Sequence, residues 1–257
     1  MGELGKRIVT AVILLALVVG WFVWLPTPWF EWVLAAIGVL ATWELLRLMK
    51  LPLPLAYLAV SMPIWWYLAT GISLSVTLLM LVIWFGIYAW ASRAGAIPFE
   101  RFAGLVWMAG WLVMTVWVVG NSHGTESGRA LLVAVCFGVW SSDIAAYFAG
   151  RLWGRHKLCP AISPGKSLEG LAAGLLVGVA VMAGLLLQAG YAPVVAAALS
   201  VTAVVAGVLG DLSESALKRM QGAKDSGSLL PGHGGILDRI DAIIMALPAA
   251  WIAWSML

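Results

Sequence analysis

The sequence predicts an all-α, polytopic integral membrane protein of about nine transmembrane helices, and three observations carry that expectation. Of the 257 residues, 63% are hydrophobic and 11% charged, with a mean hydropathy of +0.99. The apolar residues fall in stretches of about 20, the length at which a helix crosses lipid with every backbone group satisfied inside the segment. The cations are also distributed one-sidedly once those stretches are threaded through a bilayer.

The first segment, 8–25, follows Lys6 and Arg7 and has no small-x-small cleavage site before Trp21, so it reads as a retained anchor. Pro26 and Pro28 separate it from a second at 29–48, and Pro52 and Pro54 introduce a third at 53–70. Gly71 precedes the fourth, 73–91, and Pro98 the fifth, 102–120, which Gly120 closes. The sixth, 129–150, runs into a basic stretch, and the seventh, 168–189, ends at Gly190. Pro193 opens the eighth, 194–215, and a polar block separates it from the ninth, 236–256. With the N-terminus in the cytoplasm and the C-terminus outside, fourteen of the fifteen Lys and Arg fall on the cytoplasmic side and Arg129 alone outside, as the positive-inside bias requires. All five aspartates fall at or near that same face, after residue 140. Residues 1–128 therefore read as N-terminal scaffold helices, and 129–257 as a C-terminal catalytic region with its site at the cytoplasmic face. Cys136 and Cys159 stand in unrelated contexts and read as unpaired thiols.

Three constellations carry chemistry. Asp143, Tyr147 and Arg151 recur every four residues, putting an acid, a phenol and a guanidinium on one helical stripe. Ionisable groups within a span usually face the protein interior or a watery cavity, so this stripe reads as a pocket in preference to a snorkelling helix end. The loop ISPGKSLEG follows; Ser163 or Ser167 can cap the next helix, and free amides with Lys166 would make an anion site. The densest block is Gly210–Asp241. Asp211, Glu214, Ser215 and Lys218 share one helix face, Arg219, Lys224 and Asp225 follow, and glycines around His233 allow a tight turn. Asp225 reads equally as a site acid or a turn residue, and His233 as a phosphate contact or a turn hydrogen bond. Asp238 and Asp241 then sit one turn apart with Arg239 between them. Carboxylates from two helix ends suit a hard divalent cation such as Mg²⁺, and bases beside them suit anionic oxygens. With no activated Ser or Cys in view, these groups point to phosphorus chemistry by positioning and charge neutralisation.

The run Ser215, Leu217, Lys218, Arg219, Lys224, Asp225, Pro231, His233, Gly234, Gly235, Asp238, Arg239 and Asp241 resembles the signature of the phosphatidate cytidylyltransferases, the CDP-diacylglycerol synthases. The segment from Asp143 through Tyr147, Arg151 and Gly154 to Ser163, Lys166 and Glu169 is similar to the family's second shared region, with Gly165 and Ser167 as small departures. The resemblance covers roughly residues 140–241 in its motifs and extends to the N-terminal helices only in hydropathy. It implies transfer of a cytidylyl group from CTP to phosphatidic acid, giving CDP-diacylglycerol and pyrophosphate, at the cytoplasmic face of a cell's inner (plasma) membrane, with Mg²⁺ and room for a second cation. With the residue reading above, it gives as candidates Lys218, Arg219, Lys224, Asp225, His233 and Arg239 for catalysis, Asp143, Tyr147, Arg151, Ser163, Lys166 and Ser215 for substrate binding, and the acids Asp211, Glu214, Asp238 and Asp241 as the set from which metal ligands come. Family members are expected as homodimers in membrane lipid, and nucleic acid is not an expected partner. Two other readings remain: a CTP-dependent kinase of a polyprenol or phytol, and a transporter, whose acids would lie at the bilayer midplane.

Overall fold

The computed structural model describes residues 26–70, 75–93, 98–229 and 234–257, with Gly20. Eight helices and one hairpin are found there: α1 Thr27–Met49, α2 Pro54–Ala69, α3 Ser75–Ala91, α4 Phe99–His123, α5 Glu126–Trp153, strands β1 Lys157–Cys159 and β2 Ser163–Ser167, then α6 Leu168–Gln188, α7 Pro193–Met220 and α8 Leu237–Met256. Six of these helices, all but α2 and α3, are long and apolar enough to cross a membrane. The chain is a multi-pass membrane protein.

Eight of the nine expected segments are helical, and the one expected over 8–25 lies outside the described residues. Helices α2 and α3 have 16 and 17 residues. Both fall short of the roughly 20 needed for a perpendicular crossing. Helices α5 and α7 outrun the expected ends at 150 and 215, because their polar last turns stay helical beyond the apolar run. The stretch expected as a loop after Lys157 is an antiparallel hairpin, Lys157 opposite Ser167 and Cys159 opposite Ser163, with an irregularity between.

The described residues divide into two compact units. One comprises those within Met1–Gly120 together with those within Gln221–Arg239. Its core is apolar and aromatic: Phe30, Leu45 and Met49 of α1, Tyr57, Trp65 and Leu68 of α2, and Met80 and Trp84 of α3 are all buried. Trp65 packs over Gly38, where a Cβ would come within 2.8 Å of the ring, and Trp84 donates its indole N–H to the Tyr57 carbonyl at 3.1 Å. The loop between α7 and α8 belongs to this unit although both flanking helices lie chiefly in the other.

The second unit comprises Asn121–Met220 and Ile240–Leu257. Its central pairing is α5 against α6, made by small residues that let two backbones approach, the means by which helices associate in lipid without a hydrophobic driving force. A Cβ on Gly170 would stand 2.7 Å from the Ala146 carbonyl oxygen, one on Gly174 2.9 Å from that of Ser142, and one on Gly178 2.8 Å from that of Gly138. Helix α7 meets α8 in the same way, a Cβ on Gly210 falling 2.4 Å from the Asp241 carbonyl oxygen. The outward side chains are apolar, Leu176 and Val194 among the most exposed, as lipid contact requires.

Candidate functional site

The site grows from those two close helix crossings. Because α5 lies flat against α6, Asp143, Tyr147 and Arg151 are carried along one edge of a cavity of about 570 Å³ within the second unit, with Ser163 and Lys166 from β2 and Asp211 from α7 also lining it. The four-residue spacing does what it predicts: Arg151 donates from Nη1 to the Tyr147 hydroxyl at 3.0 Å. Ser167 caps α6, its Oγ accepting the Gly170 N–H at 3.1 Å, and so fixes where β2 ends and the helix begins. Of the two capping serines weighed from sequence, Ser167 takes the role. Glu169, in the first turn of α6, accepts the backbone N–H groups of Arg155 and His156 and meets the His156 ring at 2.6 Å. That ties the strand entry to the helix start. Arg219 donates from Nε to the Ile162 carbonyl at 3.2 Å, holding the hairpin to the end of α7.

The charges form one cluster in this unit. Lys166 is ion-paired with Asp211, and Ser215 donates to the other oxygen of Asp211 at 3.3 Å. One turn on, Lys218 meets Glu214 at 2.5 Å, with Glu214 1% exposed. Asp143 feels the charges of Asp211 and Lys166, and Asp241 those of Asp211, Lys218 and Asp143. Three carboxylates from α5, α7 and α8 thus share a field with two lysines. The small residue at 210 is what allows the two acid-bearing helices to converge. Among the described residues, no group of three or more His, Cys, Asp or Glu side chains forms a ready-made metal cage.

The other nominated residues stand in the first unit. Lys224, Asp225 and Arg239 are exposed there. Asp238, in the first turn of α8, accepts the Ser226 N–H at 3.0 and 3.1 Å on its two oxygens and the Gly235 N–H at 2.7 Å. It therefore organises the loop that precedes it. His233 lies outside the described residues. A second cavity of about 450 Å³ in this unit is lined by Arg47, Lys50, Asp225 and Ser226 with Trp43 and Glu44. Glu44 is the residue that sequence reasoning missed. It is 3% exposed in α1, and its Oε2 accepts the Leu237 N–H at 3.0 Å and the Ser226 hydroxyl at 3.4 Å. The signal was available: an acid inside an apolar span is costly and usually functional.

The sequence profile described as "Cytidylyltransferase family" matches residues 5–257. The chain belongs to this cytidylyltransferase family. Among its relatives, the phosphatidate cytidylyltransferase of Haemophilus influenzae is 33% identical over 95% of this chain and 96% of its own length. The Pseudomonas aeruginosa protein of the same name is 33% identical over 98% and 97%, and that of Bacillus subtilis 33% over 96% and 96%. Similarity to the family thus runs through the N-terminal helices as well as the motif-bearing half.

Proposed function

We infer that this protein is a phosphatidate cytidylyltransferase, transferring the cytidylyl group of CTP to phosphatidic acid in phospholipid synthesis. The observation that carries the reading is the charge cluster: Asp143, Asp211 and Lys166 line a cavity in a membrane-spanning unit, and Asp241 and Lys218 interact with those charges. In the reaction a phosphate oxygen of phosphatidate attacks the α-phosphorus of CTP, a new P–O bond forms, and the bond to the β-phosphate oxygen breaks, pyrophosphate leaving with the electron pair. A phosphate monoester is already anionic near neutral pH, so the obstacle is bringing two polyanions together. Arg151, held by Tyr147, and Lys166 are proposed to take the lipid or nucleotide phosphate, with Ser163 and Ser215 adding hydrogen bonds. Lys218 and Arg219, with Lys224, Asp225 and His233 from between α7 and α8 and Arg239 from the start of α8, are proposed to neutralise and orient the leaving pyrophosphate.

The acids fit Mg²⁺ in its usual manner, through one or two carboxylates plus substrate phosphates in place of an all-protein cage. We carry Asp211, Glu214, Asp238 and Asp241 as the ligand set, with Asp211 and Asp241 foremost because they share one field. A bound ion, with room for a second, would supply charge neutralisation for the substrate phosphates. The one-sided cations support the proposed threading, nine crossings with the N-terminus and site cytoplasmic and the C-terminus outside; the resemblance to the family adds the inner (plasma) membrane and a homodimer in membrane lipid.

Product analysis with labelled CTP tests the reaction. Label from the α-phosphate is expected in the lipid product, with pyrophosphate released. Lipid that acquires only the γ-phosphate overturns the reading in favour of a kinase, and purified protein that turns over no nucleotide favours a transporter. Chelation is expected to abolish turnover and added Mg²⁺ to restore it; turnover indifferent to chelator would remove the metal from the scheme.

A further inference from the structure

A carboxylate within an apolar helix is expensive unless it is paired or fully hydrogen-bonded, so its partners indicate its use. Glu44 is such a group, and every partner it has among the described residues lies in the loop and helix start that follow α7. Leu237 donates to its Oε2 from the first residue of α8, and Ser226 from its hydroxyl. The neighbouring glycines are shaped around it: a Cβ on Gly227 would stand 2.7 Å from Oε1, and one on Gly235 2.5 Å from Oε2 and 2.2 Å from Ser226 Oγ. Ser226 in turn gives its N–H to Asp238. The chain from Glu44 through Ser226 to Asp238 therefore locks both ends of the loop, and Lys224, Asp225 and Arg239 stand on that frame.

We propose that Glu44 is a positioning residue for the cytidylyl transfer, a latch from α1 that holds residues 225–229 and 234–238 in their working arrangement. The geometry makes the latch one of acceptor placement. A single oxygen, Oε2, takes both donors, while Oε1 is buried with no hydrogen-bond partner among the described residues. A neutral amide oxygen in the same place would serve. Removing the acceptor instead strands the Leu237 N–H and the Ser226 hydroxyl in a buried setting. The kinetic part of this inference rests on the cytidylyltransferase reading; the structural part does not.

The test uses the full chain in detergent or nanodiscs, with Glu44→Leu, Glu44→Gln and Gly235→Ala. Hydrogen exchange at the amides of Ser226, Gly235 and Leu237 is expected to quicken by about tenfold or more in Glu44→Leu, with α5 and α6 unchanged, as local opening predicts. Displacement of phosphate-binding groups should then lower kcat on the order of a hundredfold, with KM for CTP moving far less. Glu44→Gln should restore both readouts to near wild type, which a loss of overall fold would not predict. Should Glu44→Leu fail to fold, Gly235→Ala, which pushes a methyl between Glu44 and Ser226, is expected to give the same local exchange increase. Unchanged exchange in the loop in either folded variant overturns the latch, as does a Glu44→Gln protein as impaired as Glu44→Leu. Wild-type protein that forms no CDP-diacylglycerol while the exchange pattern holds would sink the function and leave the latch standing.

Discussion

At the scale of single residues, Asp211 stands at the centre of the charge cluster. It pairs with Lys166, accepts from Ser215, and is felt by both Asp143 and Asp241. Replacing it by Asn keeps the shape and removes the charge on which the metal and lysine assignments rest. Asp211→Asn and Asp241→Asn are each expected to lower kcat by about a hundredfold or more, since even groups that only orient ligands are worth about 10 to 100-fold. Retention of near-normal turnover by either protein, measured at saturating Mg²⁺, would remove that residue from the metal role. These acids were legible in the sequence because an aspartate near a membrane helix end does little for topology and stands out. Glu44 was equally polar and equally anomalous. Its role is not legible because nothing local says that a residue 193 positions on will return to it.

Elements were legible to the degree that their signals are local. Apolar runs bounded by Pro or Gly located eight helices to within a few residues, and α5 and α7 outran expectation where i, i+4 pairs such as Arg151 with Tyr147 and Lys218 with Glu214 extend past the apolar run. The β1–β2 hairpin was not legible, because Pro164 and Gly165 are poor strand residues. The hairpin is held there by a contact from afar, Arg219 to Ile162, and by the local Ser167 cap. The small-residue seam between α5 and α6 gives a sharp prediction. Gly174→Ala places a methyl 2.9 Å from a carbonyl oxygen, and overpacking of this kind typically costs about 1–3 kcal/mol. Gly184→Ala on the same helix meets nothing within 4 Å and should be neutral or slightly stabilising. Thermal unfolding of the two proteins should therefore diverge, Gly174→Ala alone losing midpoint and turnover; equal midpoints would refute the seam.

For the whole molecule, topology is the property that length and composition leave open, and the proposed orientation makes an accessible claim. Cys159, in the hairpin, should react with a membrane-impermeant thiol reagent only from the cytoplasmic side, and a Gly124→Cys protein, altered in the α4–α5 turn, should gain a site labelled only from outside. Labelling of both from one side would exclude the proposed threading. The tie between Glu44 and Leu237 also has a meaning in time. A ribosome adding roughly 5–20 residues per second needs about 10 to 40 s to travel the 193 positions that separate them. Until then the Glu44 carboxylate of α1 lacks its Leu237 donor, so this unit completes its assembly only after α8 has begun to be made.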